Sequence, residues 1–167
     1  WLDARAEALP LPDAGFELAL AAQAFHWFEP GAALREIARV LVPGGRLALL
    51  WNVRDLTDAA TAEYSDVVAR GAQRAREEAF HLWPEELAGS GSFDACWERS
   101  FAHAQELDAD GLIGRARSAS YVPLAAAELA TALREFHARR ADAAGRVAIR
   151  YRTRLYLAER RRGGGAG

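Results

Sequence analysis

Two short apolar runs separated by a single amphipathic helix constrain this chain more than anything else in it. Residues 16–22 are apolar apart from Glu17, and residues 46–51 form a second such run after Arg46. Runs of this length, bounded by turn residues, suit strands buried on both faces of a parallel sheet. Between them, over residues 31–42, Leu34, Ile37, Ala38 and Leu41 recur at i, i+3, i+4 and i+7. That spacing gathers all four on one helical face and turns Arg35, Glu36 and Arg39 away from it. Pro30 can open the helix, where its missing N–H is an orphan in any case. Pro43-Gly44-Gly45 can close it with backbone angles that other residues resist. Strand, helix, strand with short connections is a βαβ unit with a right-handed crossover.

The remainder is less regular. Residues 57–82 keep Ala60, Tyr64, Val67, Val68, Ala75 and Ala79 on one side, which predicts a long helix. Gly89-Ser90-Gly91-Ser92 reads as a loop. Residues 98–107 alternate weakly, as a strand would, and Asp108 can cap a short helix running to about Ala119. A further helix is expected over residues 125–142, with Leu129, Leu133, Phe136 and His137 on one face. Over residues 147–157, Val147, Ile149, Tyr151, Thr153, Leu155 and Leu157 alternate with Arg150, Arg152 and Arg154. Period-two alternation with an arginine-lined face is a partly solvated strand, more consistent with an antiparallel position than a central parallel one. Residues 1–159 are read as one domain and residues 160–167, Arg-rich then Gly-rich, as a disordered tail.

Composition removes several classes of function. A net charge of −2 supplies no electrostatic footprint for nucleic acid or anionic lipid. No apolar run approaches the roughly 18 residues that span a bilayer. One cysteine, Cys96, precludes an internal disulfide and a cysteine-based zinc cluster. His81, His103 and His137 have no mutual metal spacing, so no metal site is expected. No Gly-x-Ser-x-Gly elbow supports a hydrolase. With no secretory pattern visible, a reducing cytoplasm is the expected compartment. The chain contains no Met and opens in mid-pattern at Trp1, which reads as part of a longer protein.

The order of motifs carries a resemblance. Ala6-Glu7-Ala8-Leu9-Pro10-Leu11-Pro12-Asp13, Phe16-Glu17-Leu18 and Ala22-Gln23-Ala24-Phe25-His26-Trp27-Phe28 come first. The stretch from Leu34 to Leu47 follows, containing Arg39-Val40-Leu41-Val42-Pro43-Gly44-Gly45. Together they resemble the middle and later part of class I S-adenosylmethionine-dependent methyltransferases of the type 11 kind. Leu50-Trp51-Asn52 and Tyr151-Arg152-Thr153 resemble one bacterial branch of that family. The resemblance is dense over residues 6–54 and sparse beyond.

It implies an α/β fold: a mostly parallel, doubly wound, Rossmann-like sheet with one antiparallel late strand, the family's first strands being absent. It also implies S-adenosyl-L-methionine as cofactor and methyl transfer to a small-molecule nucleophile. By the same resemblance, Ala6 and Glu7 fall where the family contacts adenine, although Arg5 stands where many members carry Asp. Glu7 has an alternative reading as a solvated loop carboxylate. Ala22 and Gln23 end a strand where the family's backbone passes the cofactor, in keeping with ligand sites outside the carboxyl ends of parallel strands.

His26 is the catalytic candidate, since an imidazole can take a proton near neutrality. The competing reading has it packing the turn, because methyl transfer from a sulfonium needs positioning more than base catalysis. Trp27 and Phe28 either wall the acceptor pocket or belong to the core. The family's glycine-rich loop and ribose-binding carboxylate have no counterpart in the sequence. A rival reading is therefore a non-catalytic remnant or interaction module, self-associating through an exposed sheet edge.

Overall fold

The computed structural model describes residues 1–71, 83–94, 96–118 and 127–162. Its strands are β1 (Phe16–Ala22), β2 (Leu41–Arg54), β3 (Trp97–Leu107) and β4 (Val147–Glu159). Its helices are α1 (Pro30–Val40), α2 (Ala59–Gly71), α3 (Trp83–Gly89), α4 (Ala109–Arg117) and α5 (Ala127–Arg140), with a 3-10 turn at Phe25–Trp27. The strands form one sheet in the order β1-β2-β4-β3.

β1 and β2 are parallel, Leu18 facing Arg46 and Ala22 facing Leu50. Gly44 N–H donates to Arg160 O at one end, and Asp55 N–H to Arg150 O at the other. β4 therefore runs antiparallel to β2. An antiparallel bridge between Phe93 and Arg160 and the bond from Asp94 N–H to Glu159 O set the same relation between β4 and the strand that follows residue 94. Three strands thus point one way and β4 the other, as the sequence implied: a mostly parallel sheet with one antiparallel late strand.

The chain divides into two compact units: residues 1–52, 79–100 and 154–167, and residues 53–78 and 101–153. In the first, Ala33, Leu34, Ile37 and Ala38 of α1 pack with Leu47, Leu49 and Trp51 of β2, Ala21 of β1 and Tyr156 and Ala158 of β4. Burying a Leu or Ile side chain stabilises by about 1.5–3 kcal/mol, so this apolar stripe is what commits residues 30–40 to lie on the strands. In the second, Tyr64, Val67 and Val68 of α2 meet Leu112 and Ile113 of α4, Leu129, Leu133 and Phe136 of α5, and Val147, Ile149 and Tyr151 of β4. The Tyr64 hydroxyl donates to Leu112 O at 3.3 Å, and the Arg54 guanidinium lies 5.0 Å above its ring.

Several expectations require correction. β1 is buried on one face only: Leu18 and Leu20 are 58% and 59% exposed, while Ala21 is buried. Pro43-Gly44-Gly45 does not close the helix, which stops at Val40; the segment is an irregularity inside β2. Between Phe16/Leu41 and Leu18/Arg46 the register slips by three residues, and Gly44 takes the excursion at φ +82°. A Cβ on Gly45 would stand 2.9 Å from Val42 O and 3.2 Å from Glu17 O, so only glycine lets the strands approach there.

The alternation of β4 holds through Tyr151 and then changes phase, with Tyr156 and Ala158 buried in place of the expected Leu155 and Leu157. The tail does not start at residue 160. Arg160 N–H donates to Gly45 O, its guanidinium reaches Leu41 O, and Arg161 N–H donates to Ser92 O. β3 and α4 lie within a residue or two of expectation, Asp108 capping α4 through Gly111 N–H at 2.8 Å. The distal part of the long helix expected over residues 57–82, including Ala75, Ala79 and His81, lies outside the described residues, as do Ala119, residues 125 and 126, and the glycine-rich end. α3 begins at Trp83, where the sequence showed no helical signal.

Candidate functional site

The candidate site residues all lie in the first unit. β1 ends at Ala22 and Gln23 follows it, both exposed. Gln23 adopts φ +53°, the left-handed region that an L side chain rarely occupies, while its N–H donates to Leu50 O at 2.9 Å. Strain of this kind, about 1–3 kcal/mol, persists where the surroundings over-determine it, and it clusters at ligand sites. The turn that follows carries Phe25, buried, then His26, half-buried, and Trp27, 58% exposed. The His26 and Trp27 rings are tilted with centroids 4.8 Å apart, and the Phe25 and Phe28 rings meet edge-on at 5.5 Å. Phe28 thus splits from Trp27: Phe28 packs on the core, whereas Trp27 presents its indole outward beside the strand end.

A short chain of carboxylates fixes where α1 begins. Glu29 caps the helix, its carboxylate accepting from Gly31 N–H at 3.3 Å and Ala32 N–H at 2.7 Å. Glu29 N–H in turn donates to Glu7 Oε1 at 2.8 Å. This bond, with a lesser contribution from Arg5 Nε at 3.4 Å, holds the Glu7 carboxyl below the usual carboxylate range. Glu7 is therefore engaged at the start of α1, and Ala6 beside it packs against the core. The structure brings the loop of Ala6 and Glu7 to the helix that follows the Ala22–Phe28 strand end.

Sequence reasoning missed Glu36 and Arg39, which it placed on the solvent side of α1. The guanidinium of Arg39 donates to Leu9 O at 3.0 Å, to Leu11 O at 2.8 Å and to the Asp13 carboxylate. Glu36 receives Arg39 at 2.6 and 2.9 Å and accepts from Leu9 N–H at 2.7 Å. Those bonds, Arg39 first and Leu9 second, hold the Glu36 carboxyl down at about 2. The loop that Arg39 and Glu36 grip carries two prolines and runs through turns and bends, and it belongs to no strand that would satisfy its backbone groups. Two proline residues flanking Leu11, in front of a helix bearing Glu and Arg three apart, are the only trace of this in the sequence.

Two open clefts flank α1. One, about 500 Å³, is lined by Asp3, Glu7, Leu9 and Glu36 among others. The other, about 430 Å³, lies between the start of α1 and α3, with Glu29 and Glu86 on its walls. Burial and the neighbouring Glu29 charge push the Glu86 carboxyl up. Among the described residues no group of His, Cys, Asp and Glu could hold a metal ion, and no helix is long and apolar enough to cross a membrane. Burial pushes the Cys96 thiol up.

A parallel strand pair with an intervening helix, a left-handed strand end and a loop strapped beside it defines the class: a Rossmann-like α/β domain. Known proteins narrow this further. Residues 1–49 match the family described as Methyltransferase domain. An uncharacterized methyltransferase of Mycobacterium tuberculosis is 43% identical over 72 residues, 43% of this chain and 30% of that protein. An uncharacterized methyltransferase-like protein of Schizosaccharomyces pombe is 41% identical over 86 residues, 52% and 34% of the two chains. The match thus spans about a third of each relative's length. The solved structure of the YcgJ protein of Bacillus subtilis covers 95% of this chain and 69% of its own, with TM-score 0.55 and 19% identity, a likeness of fold. The resemblance read from residues 6–54 is borne out by the family match over residues 1–49, and the solved structure shares the fold.

Proposed function

We propose that this chain supplies the adenine side and the acceptor side of an S-adenosylmethionine-dependent methyltransferase acting on a small-molecule nucleophile. The observation that carries the reading is the end of β1, where Ala22 is exposed and Gln23 is held at φ +53° beside the loop-capped start of α1. The cofactor supplies an electrophilic methyl group on a sulfonium, and the residues present fit its adenine half. The Ala6 backbone and the Ala22–Gln23 backbone would flank the base. The Glu7 carboxylate, already committed to Glu29 N–H, shapes that loop rather than pairing with the base itself.

The fit is partial. Among the described residues none is assigned to the family's glycine-rich loop or ribose carboxylate. Losing such charge-assisted bonds costs roughly 3–6 kcal/mol, about a hundred- to ten-thousand-fold in affinity. The 167-residue chain should therefore bind S-adenosylhomocysteine only weakly. Titration of the isotope-labelled chain by NMR tests this: shifts confined to the amides of residues 6, 7, 22 and 23, saturating only at millimolar ligand, are expected. Micromolar binding by calorimetry, or shifts confined to the second unit, would place the pocket elsewhere.

Trp27 walls the acceptor side, and His26 orients the turn rather than moving a proton. In a longer chain that contains this segment and turns over, His26→Gln should keep most of the rate. His26→Ala should weaken stability and binding together. A rate rising with pH through about 6.5 and lost in both variants would make His26 a general base. The exposed apolar face of β1 favours a second reading, an interaction module. The DNA upstream of the Trp1 codon separates the two: an in-frame strand followed by Gly-x-Gly-x-Gly selects the enzyme, and a stop codon selects the module.

A further inference from the structure

The segment of residues 7–15 is fastened to α1 along the helix, through its backbone and through the Glu7 and Asp13 carboxylates. At the N-terminal end, Glu29 N–H donates to Glu7. In the middle, Glu36 takes Leu9 N–H while Arg39 takes the carbonyls of Leu9 and Leu11 and the Asp13 carboxylate. At the C-terminal end, Ala14 N–H donates to Arg39 O and Gly15 N–H to Val40 O, both at 2.9 Å, satisfying carbonyls that a helix end leaves orphaned. Eleven residues of helix at about 1.5 Å rise extend some 16 Å, and residues 7–15 track that span with fixed register.

We propose that Glu36 and Arg39 are positioning residues for cofactor binding, holding the Ala6–Glu7 loop at a set distance from the end of β1. α1 begins seven residues after Gln23 and packs through Leu34 and Ile37 on the strands. A loop clamped to α1 is therefore clamped to the strand end, and the two halves of the adenine site become one rigid gap. The physical reason for using this pair is geometric. A guanidinium presents five donors in a planar fork, so one side chain engages two carbonyls and two carboxylates together. Glu36 returns a carboxylate oxygen to the single loop N–H at Leu9. Neither residue reaches the strand end, and both act through the loop.

The inference rests on the methyltransferase reading, and the experiment separates failure of the two. Amide exchange and S-adenosylhomocysteine titration by NMR are compared for the wild-type chain, Arg39→Met and Arg39→Lys. In Arg39→Met, exchange at Leu9 and its neighbours in residues 6–13 should rise at least tenfold, while β2 amides keep their protection. Ligand affinity should fall at least fivefold, with the shifts at residues 6 and 7 lost before those at 22 and 23. Arg39→Lys retains charge opposite Glu36 but loses the fork, and it should fall between the two. Unchanged loop exchange in Arg39→Met would overturn the clamp. An opened loop with unchanged affinity would overturn its role in binding while leaving the methyltransferase reading intact. If the wild-type chain shows no shift at any of these residues, the cofactor reading fails and the positioning role fails with it.

Discussion

The two units of this chain solve the same packing problem and leave different surfaces behind. The second closes its core on Tyr64, Leu133 and Phe136 and carries ion pairs outside it, as the first unit also does. Glu63 meets Arg139 and Arg140, Asp58 meets Arg150, and Asp55 meets Arg152. Its carboxylates also work locally: Thr57 holds Asp55, Thr61 holds Asp58, and the two arginines hold Glu63, each keeping its carboxyl below the usual range. The first unit leaves Phe16, Leu18, Leu20 and Trp27 exposed and keeps the left-handed non-glycine backbone of Ala14 and Gln23. Ion pairs lie on both units, Arg161 meeting Asp94 and Arg162 meeting Glu159 on the first, and the second also exposes Leu56 and Phe101; what separates the two is the strained backbone, which binding sites retain. Among the described residues, candidate function and left-handed non-glycine backbone therefore coincide in the first unit.

Removing the aromatic centre of the second unit is the most forceful way to break that comparison. Phe136→Ala deletes a fully buried ring that meets Tyr64 at 6.0 Å and should cost about 3–5 kcal/mol. Urea unfolding measures the loss, and amide exchange locates it. Protection should fall in α2, α4 and α5 first. Equal loss in α1 and β1 would show one cooperative body and dissolve the distinction drawn above.

The open strand face of the first unit comes next. β1 lies at one end of the strand order and pairs with β2, and such edges invite association. The chain should self-associate, and Leu18→Glu with Leu20→Glu should weaken that association at least tenfold, about 1.4 kcal/mol. Sedimentation at several concentrations reads it. A wild-type monomer across the range would mean that the edge is covered.

Acid sharpens the contrast between a strapped loop and paired surface charges. Glu36 has a folded pKa of about 2, below its ordinary value of 4.5. Its stabilisation is therefore present above pH 4.5 and lost as pH falls through about 2. Exchange at Leu9 should stay slow at pH 3 and accelerate below pH 2, and Glu36→Gln should remove that step. A loop that opens near pH 4 would mean that the Arg39 bond is not made. The smallest effect belongs to the second unit's surface: Arg139→Ala, more than half exposed, should change stability by about 1 kcal/mol or less. A larger loss in thermal unfolding would give the Glu63 network a structural weight that exposed pairs rarely carry.

Local chemistry made the βαβ unit legible. An apolar stripe at helical spacing between two apolar runs has one economical fold, and Leu34, Ile37 and Ala38 are buried where that spacing puts them. The β4 alternation up to Tyr151 was legible for the same reason, since a period of two needs only one buried face. Its later change of phase was not, because Tyr156 and Ala158 answer to a different core from Val147 and Ile149. The strand end at Ala22 and Gln23 could be marked from motif order. The left-handed turn at Gln23 could not, because nothing in a glutamine announces φ > 0.

What the sequence determined by itself is the set of periodic elements, their order, and the resemblance carried by residues 6–54, since hydrophobic period and turn chemistry are properties of near neighbours. Only the tertiary structure decided which polar side chains matter. Arg39 and Glu36 lie 26 to 30 residues from the loop groups they grip at Asp13, Leu11 and Leu9. On a helical wheel they look like any solvated face. Apart from the Asp13 carboxylate, their loop partners are backbone carbonyls and one amide that every sequence contains. Such bonds depend on where folding brings the two segments together, and no local pattern encodes that meeting.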